Sequence, residues 1–186
     1  MRIAVTGTHG SGKMTLIGDF VSAHTDHDSV PEPYWLLTDR GMAFADGPTV
    51  ADLEEQLALS CSLLLDQAAE RNVIYDRSPL DFIAYLDVVS ASEGFEWLPS
   101  GRLLSRIGRA LSTLDLIVFV PLQQPDDIDV PIEYPALRAK VDKRLKTMLR
   151  RDDLGLLQDG PAVLELSGSR ERRVAELAAR LGRQAG

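Results

Sequence analysis

Apolar positions along the chain follow two rhythms. Ile3–Thr6, Val73–Tyr75 and Leu116–Val120 are short and nearly continuous in apolar residues. Parallel strands covered on both faces read this way, so these three predict the middle of a sheet. Ser29–Val30 and Ala162–Leu166 are weaker strand candidates. Helical patterns run over Lys13–Ala23, Val50–Arg71, Pro79–Val89, Gly101–Leu111, Leu137–Arg150 and Arg170–Leu181. Thr49, with Asp52 in the first turn behind it, and Ser78 followed by Pro79 mark two helix starts. Strands separated by segments long enough for crossover helices predict an α/β doubly wound fold, a five-stranded parallel sheet flanked by helices.

The breakers Gly47-Pro48 and Gly94 through Pro99 separate helices rather than domains, and there is no internal repeat. Residues 1–186 are therefore expected to form a single domain. The segment Gln123–Pro135 is rich in proline and acids and leads into a basic helix, which makes 123–151 a candidate lid.

Composition narrows the classes of function. A formal net charge of -8 in 186 residues argues against a general nucleic-acid binder. No apolar run approaches the roughly 20 residues of a membrane-spanning helix, and MRIAVTG opens without a charged leader, so neither a membrane partner nor a signal peptide is expected. The single cysteine, Cys61 in LALSCSLLL, reads as a small core residue in a reducing, cytoplasmic setting. His9, His24 and His27 have no zinc-like spacing. A homodimer stays open.

The chemistry starts at Gly7-Thr8-His9-Gly10-Ser11-Gly12-Lys13, a GxxxxGK run between an apolar strand and a helix. Glycines let the backbone close on a phosphate, the helix start offers amide donors, and Lys13 can reach the outer phosphates of ATP. The expected fold is thus a P-loop NTPase with a helical lid, and ATP and Mg2+ are the expected cofactors. Met14 then departs from the pattern, because a P-loop places Ser or Thr there to ligate magnesium. A thioether is a poor ligand for a hard cation, and Thr15 is rotated about 100° away on the helix. Three readings stay open: magnesium is held by carboxylates and water, transfer is weakened or lost, or Met14 is an introduced substitution.

Acceptor chemistry is expected at the other strand ends. Glu32 can accept the proton of an attacking hydroxyl, while Tyr34 and Trp35 can pack on a planar ring. After the third strand, Asp76 emerges where a metal-bound water would lie, and Arg77 offers a planar fork to a carboxylate or phosphate. Asp81 is explained by a helix start. In the basic helix, Leu137, Val141, Leu145 and Met148 form an apolar stripe, and Arg144, with Arg138 or Lys140, is a candidate for meeting the migrating phosphoryl group. Ser169 and Arg170 open the last helix, where they either line an adenine pocket or make only a capped turn.

The ordered segments Gly7–Lys13, VPEPYW and VIYDRSPLDFIAYL resemble the deoxynucleoside kinases that include viral thymidine kinases, and are also similar to nicotinamide riboside kinase-like ATPases. The resemblance spans roughly the first half of the chain. It implies that Glu32 activates the substrate hydroxyl, that Asp76 and Arg77 are the metal-side and phosphate-side pair, and that Gln56 lies near a glutamine that reads a base. Trp35 follows Glu32 by three positions where those kinases usually have five, so base specificity does not transfer. The function expected is ATP-dependent phosphorylation of a nucleoside-like alcohol. A nucleotide-binding regulator or inactive kinase-like protein, and a kinase of nicotinamide riboside or another small molecule, are the alternatives.

Overall fold

The computed structural model describes residues 1–123 and 133–182. The elements run β1 (Arg2–Thr6), α1 (Lys13–Ala23), β2 (Asp28–Val30), α2 (Pro33–Asp39), α3 (Val50–Asp66), β3 (Val73–Asp76), α4 (Pro79–Ser92), α5 (Gly101–Leu111), β4 (Leu116–Phe119), α6 (Pro135–Arg151), β5 (Ala162–Glu165) and α7 (Arg170–Gly182). The five strands described form one parallel sheet, as the sequence predicts, and their order in it is β2-β3-β1-β4-β5. Ile3 pairs with Ile74 on one side and Leu116 on the other, which places β1 at the centre.

Side chains alternate across the two faces of β1. Ala4 joins Tyr75, Ile117 and Phe119 in a core closed by Leu57 and Cys61 of α3, Phe82 and Leu86 of α4, Ile107 of α5 and Val141 and Leu145 of α6. Ile3 and Val5 face the other way, into a core closed by Leu16 and Phe20 of α1 and Leu177 of α7. Cys61 is fully buried, and burial pushes its thiol up to about 11, as suits a core residue. Among the described residues, no helix is long and apolar enough to cross a membrane.

Two elements differ most from the sequence expectation, while α4 and α6 run up to three residues beyond theirs. A short helix, α2, carries Tyr34 and Trp35, with Pro33 in its first turn and Glu32 as its N-cap. And α3 stops at Asp66, not Arg71. The reason is Arg2, a charged residue inside the sheet with 1% of its surface exposed. Its guanidinium donates to Leu64 O at 2.7 Å, to Gln67 O and to Thr113 O at 2.8 Å. It thereby satisfies carbonyls that a helix end leaves without partners. Asn72, at φ 54°, then turns the chain into β3.

Candidate active site

The phosphate loop leaves β1 at the centre of the sheet. Gly7 is fixed there by close approach, since a Cβ on it would lie 2.5 Å from the Val120 carbonyl oxygen. Gly12, at φ 91°, is the N-cap of α1, and no side chain caps that helix. Its first-turn amides are thus left for an anion. Lys13 curls back over the loop and donates to Thr8 O at 3.0 Å. Burial, then the charge of Arg77, lowers its ammonium to about 8, with Asp76, Asp81 and Glu32 opposing. The Ser11 hydroxyl is buried without a hydrogen-bond partner.

The chain braces this loop from several sides. Asp81 completes a capping box with Ser78 at the start of α4, and its Oδ1 also accepts from Gly7 N–H at 2.9 Å. That acid, expected only as a helix start, therefore holds the phosphate loop as well. Tyr85, one turn further along α4, was not singled out by the sequence, although the i, i+4 spacing from Asp81 puts it on the same face. Its hydroxyl accepts from His9 N–H at 3.0 Å and meets His9 Nδ1 at 2.9 Å. His9 Nε2 lies 2.8 Å from the Glu133 carbonyl, which can only accept, so the proton of the neutral ring sits on Nε2 and Tyr85 donates to Nδ1. Burial lowers the pKa of His9, reinforced by Arg77, Arg138 and Lys13 against that carbonyl, in keeping with a neutral ring.

Two arginines close on the outside. Arg138 of α6, 5% exposed, donates to His9 O at 2.9 Å and Gly10 O at 2.8 Å. Arg173 of α7, also missed from sequence, donates weakly to Ser11 O at 3.4 Å, and its Nε is buried without a partner. A cavity of about 370 Å³ lies between them, lined also by Thr15, Gln123, Ser169 and Arg170. Ser169 Oγ accepts from Arg172 N–H at 3.3 Å, and Arg170 pairs with Asp19 of α1. Both therefore act as a capped turn tied to α1 while standing at the cavity.

Arg144 is not brought to this site. Its guanidinium binds Asp87 at 2.6 Å and Asp153 at 2.5 Å, between α4 and the end of α6. Six residues after Arg138, it is turned about 120° around the helix, so the two cannot face one ligand. Lys140 is exposed. Of the candidate lid 123–151, residues 124–132 lie outside the described residues, and α6 is the part that reaches the loop.

On the other side of the loop lies a cavity of about 400 Å³ lined by Glu32, Tyr34, Trp35, Gln56, Arg77 and Tyr85, among others. Arg77 links the two sides. Its Nε binds Glu32 at 2.5 Å, its Nη1 donates to Gly7 O at 3.3 Å, and its guanidinium stacks 5.4 Å above the centre of the Tyr85 ring. Burial works to discharge Arg77, but Glu32, Tyr85 and the aspartates raise its pKa well above the ordinary value. Burial pushes Glu32 up, yet Arg77, Lys13 and His9 outweigh it and hold the carboxyl below its usual range. The backbone of Arg77 is at φ 76°, a left-handed conformation that is strained for a bulky residue. Gln56 lines the cavity but spends one amide hydrogen on Asp52 O at 3.2 Å.

Asp76 tests the fit of magnesium. Its Oδ1 is buried without a partner, and burial raises its pKa against the pull of Lys13 and Arg77. Among the described residues there is no cluster of three His, Cys, Asp or Glu that could hold a metal. A lone carboxylate with an unused oxygen fits Mg2+, which keeps several waters and binds through one or two carboxylates plus phosphates. Met14, 70% exposed, offers it nothing.

A family model described as an AAA domain matches residues 2–173. The chain belongs to this AAA domain family. No curated protein matches it. Among solved structures, this AAA domain is similar to a deoxyadenosine kinase from M. mycoides with bound dATP, at 16% identity and a TM-score of 0.65 over 98% of this chain and 100% of that one. A thymidylate kinase from Candida albicans matches at 15% identity and 0.62 over 98% and 91%. A shikimate kinase from Aquifex aeolicus vf5 matches at 13% identity and 0.55 over 100% and 98%. At these identities the likeness establishes the fold, so this AAA domain has the α/β fold of P-loop kinases.

Proposed function

We propose that this protein is an ATP-dependent kinase that transfers the terminal phosphoryl group to a hydroxyl of a nucleoside-like small molecule. The observation that carries the reading is the bridge made by Arg77. One guanidinium holds both the ionised, cavity-lining Glu32 and the backbone of the phosphate loop, so a candidate base and a candidate phosphoryl site share one sheet edge.

In this reading Glu32 receives or orients the proton of the attacking hydroxyl, for which its lowered pKa keeps it ionised. Tyr34 and Trp35 pack on the planar part of the acceptor, and Gln56 has one amide hydrogen and a carbonyl to offer it. Lys13, the first-turn amides of α1 and Arg138 meet the charge of the phosphates. Asp76 would hold Mg2+ through water, and Mg2+ when bound would neutralise charge on the phosphate oxygens. Binding therefore precedes any chemistry by assembling cations on one side of Arg77 and the base on the other.

The exposed thioether of Met14 supports a second reading, a nucleotide-binding regulator that does not turn over. ATP consumption with mass detection of phosphorylated product, over a panel of nucleosides and related alcohols, separates the two. Product that falls at least about 100-fold in Glu32→Gln, with ATP affinity preserved, is expected for the kinase. Undiminished transfer by Glu32→Gln removes the assigned base, and ATP binding without product across the panel favours the regulator.

A further inference from the structure

Met14 stands where a phosphate loop ordinarily offers magnesium a hydroxyl, in the first turn of α1 and directly after Lys13. Lys13 feels the charge of Asp76, the carboxylate whose orphaned oxygen fits the metal. A thioether adds nothing for a hard cation. Yet Met14 is the sulfur-bearing residue most open to solvent. Of the four methionines it keeps 70% of its surface exposed, while Met1 and Met42 are half-buried and Met148 lies in the core. Cys61 is sealed inside the protein with its thiol at about 11, so it lacks the thiolate that oxidants attack.

Oxidation changes what this side chain can bind. Hydrogen peroxide gives one oxygen atom to the sulfur: the O–O bond breaks and an S–O bond forms. The thioether loses two electrons, and the peroxide gains them and leaves as water. The product is a sulfoxide, whose oxygen belongs to the hard donors that Mg2+ takes and whose parent sulfur does not. Methionine is unbranched with three rotatable bonds, so the new oxygen can be aimed without moving the helix. At an exposed position there is also no packing for the added oxygen to disrupt.

We infer that Met14 is a reversible oxidation site that governs the metal. Reduced, the loop lacks a side-chain oxygen for Mg2+; as the sulfoxide, Met14 supplies it. The inference rests on the phosphate-loop half of the kinase reading, nucleotide with Mg2+, and is independent of the acceptor. A serine or threonine would hold the metal permanently, whereas a thioether makes that hold conditional on an oxidant and on its reversal by reductases.

The full chain is treated with dilute hydrogen peroxide, and peptide mass analysis locates the added oxygen. Calorimetry then measures ADP affinity with Mg2+ and with EDTA, and the ratio of the two is the gain due to the metal. Met14 is expected to be oxidised ahead of the other methionines, and the gain to rise about three- to thirtyfold. It should return to its starting value after treatment with the two methionine sulfoxide reductases, one for each epimer. Met14→Ser should show a raised gain without peroxide, and Met14→Leu no rise with it. Affinity for ADP in EDTA should stay within about twofold throughout, as expected for changes at an exposed side chain. Oxidation of another methionine first, an unchanged gain in the chain shown to carry oxygen at Met14, the same rise in Met14→Leu, or no raised gain in Met14→Ser overturns the inference. No ADP binding to any of these chains removes the nucleotide site and the inference together. The full expected pattern, with no phosphorylated product from ATP and the alcohol panel, upholds the inference and removes the kinase reading instead.

Discussion

Lys13 offers a way to observe the phosphate loop at work without any knowledge of the acceptor. Its ammonium is lowered from 10.5 to about 8 by burial and Arg77. At pH 8.5 a group with that pKa is about one quarter protonated. Polyphosphate bound at the loop supplies the counter-charge that Lys13 lacks and returns it toward its ordinary value, where it is almost fully protonated. ATP binding should then take up about 0.75 proton at pH 8.5 and about 0.1 at pH 7. At the higher pH the nucleotide is itself fully ionised, since phosphate second pKa values lie near 6, so the uptake belongs to the protein. Titration calorimetry in two buffers of different ionisation heat measures the number directly. Uptake near zero at pH 8.5, or proton release, would refute the claim that nucleotide phosphates sit against Lys13. The same shift has a stability sign. The folded pKa lies below the unfolded one, so the unfolded chain binds more protons between pH 8 and 10.5. Through this group the free protein carries its full penalty, about 3 kcal/mol, below pH 8 and loses it as pH rises through that window.

Arg138→Ala should weaken ATP binding by about 10- to 100-fold, because it removes charged donors from the His9 and Gly10 carbonyls. Arg144→Ala should leave ATP affinity within about twofold and lower unfolding free energy by roughly 1 kcal/mol, as measured by urea titration. Tyr85→Phe keeps the ring beneath Arg77 but strips the acceptor from His9 N–H, which should cost about 1–3 kcal/mol of stability in the same assay. Met14→Ser should lower the magnesium concentration at half-maximal product formation several-fold while leaving metal-free ATP affinity unchanged.

Much of the fold was legible because parallel strands buried on both faces announce themselves, as Val73–Tyr75 and Leu116–Val120 do. The phosphate loop was legible for a similar reason, since its residues are contiguous and their spacing is dictated by one ligand. Glu32 and Arg77 lie 45 positions apart, yet both follow a parallel strand, and that placed them at one sheet edge before the resemblance gave them roles. What sequence could not show were contacts made by single long side chains across the fold. Arg2 binds the end of α3 at Leu64, 62 residues away, and Arg173 reaches the phosphate loop at Ser11, 162 residues away. Arg144 and Arg138 look equivalent in a basic stretch, and only the helical phase fixed by the buried Leu145 and Val141 stripe separates them. The short helix α2 has too few residues to show a period.

Arg77 sits where the backbone would prefer glycine or asparagine. Replacing it by glycine would relieve that strain and, by the same act, release Glu32 and the Gly7 carbonyl from each other. Relief of roughly 1 kcal/mol of backbone strain is outweighed by the roughly 3 kcal/mol cost of leaving the ionised Glu32 without its counter-charge, so stability and turnover pull in the same direction here. A stability screen and an activity screen are both expected to keep arginine at residue 77.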